Sequence, residues 1–168
     1  MTDRIFLVCA ALAAISGFTS VWWRFPCLSW PTITFVDSYL FVALLFAARR
    51  CDLESTNKPV PPYLSIIFPS RVAGLFCVPL LAVALIFSYA GLYFRPDMAS
   101  HFVNPITTAV DAIYASVVTM TTVGFGAYAP IDENTKRLVI GQLASAVLLF
   151  FGVFPLLISQ LSTFIDKA

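Results

Sequence analysis

Residues Thr119–Pro130, TMTTVGFGAYAP, set threonines and glycines without a single charge between strongly apolar flanks. Glycine weakens a helix interior, and hydroxyls are poor company for a dry core. Glycine does accept positive φ at no steric cost. Alternating it with Thr, Val and Phe lets successive carbonyls turn to one side of the chain. A row of carbonyl oxygens is a ladder for a hard cation that sheds its water and is coordinated again at each step. The strand predicted to do this is Thr121-Thr122-Val123-Gly124-Phe125-Gly126, with the Thr122 hydroxyl adding one more oxygen at its inner end. The chemistry is coordination, not bond-making.

Irregular backbone of this kind survives at membrane depth only when buried in protein or lining a watery cavity. The composition points to that setting. The 168 residues are 60% hydrophobic and 11% charged, against about 25% charged in a soluble domain. The net charge of +1 says little about partners, but nothing resembles a basic nucleic-acid face and no charged tail occurs, so no nucleic-acid partner is expected. The single His excludes a multi-histidine metal site within one chain. The cysteines at 9, 27, 51 and 77 form no CxxC and read as free thiols, with Cys27 near the outer surface. No enzyme constellation and no organic cofactor motif is present: the His has no polar nucleophile partner, and no phosphate loop occurs.

Spanning helices of about 20 apolar residues are predicted at Ile5–Trp23, Thr32–Ala48, Val72–Phe94 and Leu138–Ile165. The first is read as a retained helix, because its apolar run continues through Val21-Trp22-Trp23, too long for a cleaved leader. Lys and Arg favour a cytoplasmic N-terminus. Arg4, Arg49, Arg50, Lys58, Arg71 and Lys167 then lie inside, against Arg24, Arg95, Lys136 and Arg137 outside. Both termini are cytoplasmic, and Trp22, Trp23 and Trp30 form an outer aromatic belt. Residues 1–50 read as a peripheral two-helix hairpin, 51–71 as a stiff Pro-rich linker, and 72–168 as the domain that holds the last two spans and the segment between them. No soluble ligand-binding domain is expected.

Between the last two spans, Asn104-Pro105 is predicted to open a short helix, since Pro suits a first turn. The following ITTAVDAIYASVVT gives about fourteen residues and roughly 21 Å, too short to cross a core of ~30 Å. A half-crossing helix followed by a returning strand is the result. TTVGFG after DAIYASVVTM resembles the TTVGYG signature and pore helix of bacterial and voltage-gated-like potassium channels, a filter that the handful of well-known oxygen-ladder channels share. Asp111, Ala112, Tyr114, Ser116, Val117, Val118 and Thr119 fit the helix pattern, and the likeness covers Val72–Ile165.

The resemblance implies an all-α, homotetrameric membrane protein with a re-entrant pore helix and selectivity filter between helices three and four. It implies stacked potassium sites formed by the carbonyls of Thr122, Val123, Gly124 and Phe125 with the Thr122 hydroxyl, and four chains around them, because one strand supplies only one wall. Support for the filter is expected from Thr119, Thr121, Tyr114 and Val118. The resemblance also carries departures. Ala127 stands where the family usually has Asp, Val118 where some relatives have Glu, and Ala115 where an aromatic often packs; Phe125 replaces Tyr. An acidic brace behind the filter is therefore expected to be absent, and filter inactivation to be weak or to work differently.

In the inner helix, Gly152 and Pro155 are the expected gating bend, set against plain close packing of helices. Asp37 is expected to have a structural partner, Asp111 a structural contact, and His101 a solvated place in the outer loop. Neither of the first two spans carries the spaced arginines of a voltage sensor; they are left to brace the pore, bind lipid or recruit an unknown partner. The predicted function is passive potassium conduction, in a bacterial inner membrane. The alternatives are a non-selective monovalent cation channel of the same fold, a non-conducting pore-like assembly subunit, and a transporter with channel-like loops. The single pore segment speaks against the last.

Overall fold

The computed structural model describes residues 9, 11–16, 18–19, 21, 29–55, 71–124 and 126–155, with 44–55 and 71–77 described by backbone course alone. Every extended element among them is helical; the nearest thing to a strand is one antiparallel bridge between Phe102 and Pro130.

The described residues between 9 and 21 are helical, and their Ala13 and Val21 are buried in the common core. Helix α1 spans Ser29–Ser55. It buries Ile33, Val36, Leu40 and Ala43, three or four residues apart, and leaves Trp30, Phe35, Phe41 and Val42 exposed on other faces. Such outward apolar side chains suit a lipid surrounding. The helix runs well past the predicted Thr32–Ala48, through 51–55, which the sequence reading gave to the linker. Paired arginines do not stop a helix; proline does, and the first one after it, Pro59, falls in 56–70, outside the described residues.

Helix α2, Arg71–Tyr93, lies within a residue of its predicted bounds at each end. It packs between α1 and the pore-helix candidate, and presents Val78, Leu81, Leu85, Tyr89 and Leu92 as one buried stripe. A short turn α3, Pro96–Ala99, starts the outer loop. Helix α4 is Ala109–Met120, and α5 is Glu133–Val147, running directly into a wide turn at Leu148–Val153. Together Glu133–Val153 make a helix of 21 residues, long and apolar enough to cross a membrane. α5 begins five residues before the predicted Leu138, because Asp132 caps it and its first turns are charged rather than apolar. The predicted tail to Ile165 lies outside the described residues beyond Pro155. The first segment is tied to the rest by the Ser16 and Thr32 hydroxyls, 2.9 Å apart, and by Phe18 set edge-on to Phe87 at 5.5 Å.

Candidate functional site

α4 does not start at Pro105. Thr108 Oγ1 accepts from the Asp111 amide at 3.1 Å, and Asp111 Oδ2 accepts from the Thr108 amide at 3.0 Å, a reciprocal capping box. Two satisfied amides outweigh a proline's mere tolerance of the first turn, so the helix keeps 12 residues, or roughly 18 Å. At its far end Thr121 N–H donates to Val117 O at 2.9 Å and Thr122 N–H to Thr119 O at 3.1 Å. The hydroxyls of Thr119 and Thr121 turn back onto the carbonyls of Ala115 and Val117, each at 2.8 Å. Both hydroxyls finish the helix end, Thr119 buried and Thr121 exposed. Thr122 is exposed, and none of the hydrogen bonds of the described residues uses its hydroxyl.

From Thr122 the backbone alternates. Thr122 has φ 57°, Gly124 φ 118° and Gly126 φ 51°. Left-handed φ every second residue is costly for a β-branched side chain, of order 1–3 kcal/mol, and Thr122 takes it although glycine was the expected bearer. At Gly124 a Cβ would meet no atom within 4 Å, so its requirement is one of backbone angle and not of space. Val123 is 81% exposed, an apolar side chain with nothing from its own chain over it. Phe125, predicted to supply a carbonyl, lies outside the described residues.

Of the expected supports, Thr119 is buried, Val118 half-buried, Thr121 exposed, and Tyr114 exposed on the single chain. Tyr114 stands edge-on to Tyr128, with centroids 5.9 Å apart, and its hydroxyl faces the Cα of Gly126. Ala115 is buried. The Asp111 carboxylate accepts from the Tyr128 hydroxyl at 2.8 Å and from the Thr107 hydroxyl at 3.2 Å, besides its capping bond. The bonds from Thr108 and then Tyr128 hold its carboxyl down at about 2. The same partnership with Asp111 pushes the Tyr128 hydroxyl up. Tyr128 was missed in the sequence; an aromatic hydroxyl shortly after a glycine pair carries no signal without knowing where Asp111 lies.

The returning limb is pinned to the outer loop. Val103 N–H donates to Ala129 O and Ile131 N–H to His101 O, both at 2.9 Å. Phe102 is buried edge-on against Tyr93, with centroids 5.3 Å apart. His101, expected in a solvated place in the outer loop, is exposed there and lies 3.4 Å from Asp132 Oδ1 through Nδ1. Asp132 also caps α5 through the amides of Asn134 and Thr135 and bonds the Thr135 hydroxyl, and these bonds, the hydroxyl foremost, keep its carboxyl below the usual range.

A buried polar seam joins the helices behind the strand. Gln142 Nε2 donates to Ser116 O at 2.9 Å and to Ser116 Oγ at 2.8 Å, while its Oε1 accepts from the Tyr93 hydroxyl at 2.5 Å. Ser116 Oγ donates onward to Ile86 O at 2.7 Å. One helical turn along α5, Ser145 Oγ donates to Asp37 Oδ2 at 3.0 Å and lies 3.3 Å from the Tyr89 hydroxyl. Asp37 thus has a structural partner, on α5. Gln142, Tyr93, Tyr89 and Ser145 were all missed. The available signal was their spacing: Gln142 and Ser145 are three apart and Tyr89 and Tyr93 four apart, so each pair shares a helix face.

Gly152 lies inside the wide turn, where Phe154 N–H reaches back five residues to Leu149 O. Pro155 follows it, with no amide to give and a ring that crowds the carbonyl four residues earlier. Between this part of α5 and the foot of α4 is a cavity of about 300 Å³, lined by Met120, Thr121, Thr122, Ala146, Val147, Phe150 and Phe151.

Residues 75–165, more than half of the chain, match the model of a family described as ion channel. A curated relative, "Potassium channel K1" of Plasmodium berghei (strain Anka), is 33% identical over 64 residues, which is 36% of this chain. The chain spans 3% of the length of that relative. No solved structure matches it.

Proposed function

The chain belongs to this ion-channel family and is a membrane protein, and from that premise we propose that it is a potassium-selective channel whose filter is Thr122–Gly126. The observation that carries the reading is the left-handed φ at residues 122, 124 and 126 in alternation. Each reversal turns the following peptide, so successive carbonyls come to one side. One strand is one wall; four copies around an axis enclose the path, and we propose a homotetramer of four-helix subunits with Val123 covered by its neighbours.

In that assembly a potassium ion exchanges its hydration shell for carbonyl oxygens and moves between adjacent sites as the next ion enters. α4 aims its C-terminal end toward the inner side of the filter. The partial negative charge there favours a cation in the space that the four cavities beside Met120 and Phe151 open into. The Thr122 hydroxyl, without a partner among the described residues, supplies the innermost oxygen. Gly152 and Pro155 mark the segment of α5 that bends to open or close the inner mouth.

The test is the reversal potential of purified protein in a planar bilayer under opposed potassium and sodium gradients, beside Gly124→Ala. Reversal near the potassium potential, lost in the variant, is the expected result. Reversal near zero in the unaltered protein would replace this reading with a non-selective cation channel, with Ala127 and Ala115 as the first residues to alter.

A further inference from the structure

We propose that Asp111 is a positioning residue for the filter: its carboxylate, anchored at the start of α4, holds Tyr128 and through it the outer rim at Gly126 and Ala127. This rests on the filter reading above.

The two carboxylate oxygens are divided. Oδ2 is held by the Thr108 amide at 3.0 Å and the Thr107 hydroxyl at 3.2 Å, which lock the side chain to its own helix end. Oδ1 points away from that lock and accepts from Tyr128 at 2.8 Å. Among the described residues this is the one side-chain hydrogen bond between α4 and the segment after Gly126. The tyrosine ring it fixes lies edge-on to Tyr114 at 5.9 Å, and the Tyr114 hydroxyl would sit 3.9 Å from a Cβ on Gly126. A closed circuit results: helix start, Asp111, Tyr128, Tyr114 and the last glycine of the strand. The positions next to the filter where a polar tie was sought, Val118 and Ala127, have no polar side chain to offer. The tie runs instead from nearly two turns farther up α4, and reaches the rim one residue farther along. A charge-assisted bond of this type, anchored by two others, resists rotation of the rim that would collapse the strand.

Tyr128→Phe keeps the ring and its contact with Tyr114 and removes the bond; Asp111→Asn weakens it from the other side. Expected in bilayers is a roughly three- to tenfold faster decay of sustained current at low outer potassium, the range of the net contribution of one intramolecular hydrogen bond. The reversal potential should not change. The double variant should be no worse than the more severe single one. Raising outer potassium should restore slow decay, because ions in the strand oppose its collapse; a defect confined to folding would not respond. Decay identical to the unaltered protein in both single variants, multiplying effects in the double variant, or decay indifferent to outer potassium would overturn the proposal. Should the unaltered protein reverse near zero, the filter reading fails separately. The tie is then judged by the melting temperatures of the four proteins in detergent, where a shared loss sustains it and additive losses overturn it.

Discussion

Two polar regions lie in this apolar chain, and they are treated oppositely. In the seam of Tyr93, Gln142 and Ser116, all three side chains are bonded within the chain, with distances of 2.5 to 2.9 Å and all three residues buried. In the strand Thr122–Gly126 the described residues are exposed, the Thr122 hydroxyl has no partner among the described residues, and the backbone holds conformations that cost energy. The difference teaches that in a low-dielectric setting a polar group whose partners come from its own chain serves the fold. One left without them is kept for something that arrives later. Strain is tolerated in the second because the capped helix before it and the pinned limb after it over-determine its ends.

The sharpest way to break the comparison is Gly124→Ala. With φ 118° and empty space around it, the substitution strains the backbone and displaces nothing. It is expected to abolish selective current, a complete functional loss, with only the modest drop in the melting temperature of the subunit in detergent that local backbone strain brings. A drop in melting temperature that matches the loss of current would place Gly124 with the fold instead.

Gln142→Ala should do the reverse. It strands the Tyr93 hydroxyl and removes the bonds to Ser116, a loss of about 1–3 kcal/mol, toward the lower end if the membrane-like reference state finds substitute partners. The measurement is thermal unfolding in detergent. Unchanged stability with altered ion preference would move the seam into the conduction machinery. A smaller effect is expected where α1 meets α5. A double-mutant cycle of Asp37→Ala and Ser145→Ala should give a coupling of about 0.6 kcal/mol, the average for such bonds between membrane helices. No coupling would mean that α1 is held by its apolar face alone.

The smallest effect sharpens the boundary between the regions. Asp111 is depressed from an ordinary 3.8 to about 2. A carboxyl lowered on folding contributes stability that is fully present above its unfolded value and is lost as pH falls through the folded one. The melting temperature attributable to Asp111, taken against Asp111→Asn, should therefore be flat from neutral pH to about 4 and decline between about 4 and 2. A decline centred above pH 5 would show that the Thr108 and Tyr128 bonds do not hold it down.

Much of the fold was legible because apolar runs and breakers are local signals. α2 was placed within a residue because Arg71 and Arg95-Pro96 bracket its uncharged run. Helix starts were less legible where two local rules competed: Pro105 invited a helix, and the Thr108–Asp111 box won it. The extension of α1 through 51–55 was hidden by the habit of ending a span at its charges. At the candidate site the glycines announced themselves by type. Thr122's positive φ did not, since it is imposed from both ends of the strand. The seam and the Asp111–Tyr128 tie were out of reach for a plainer reason: their partners stand 17 to 49 residues apart in sequence, and no periodicity encodes which turn of one helix meets which turn of another.

The wide turn at Leu148–Val153 has a consequence for bookkeeping of a different kind, that of angular phase. A regular helix advances about 100° per residue, so one extra residue held in a single turn rotates everything below it by about that angle relative to the face above. Phe154 and Pro155 therefore look toward a direction that heptad counting from Gln142 and Ser145 assigns to their neighbours. A turn with a spare residue is also a vernier: passing the slack one residue along the helix re-aims a single side chain while the hydrogen-bonded cylinder on either side stays whole.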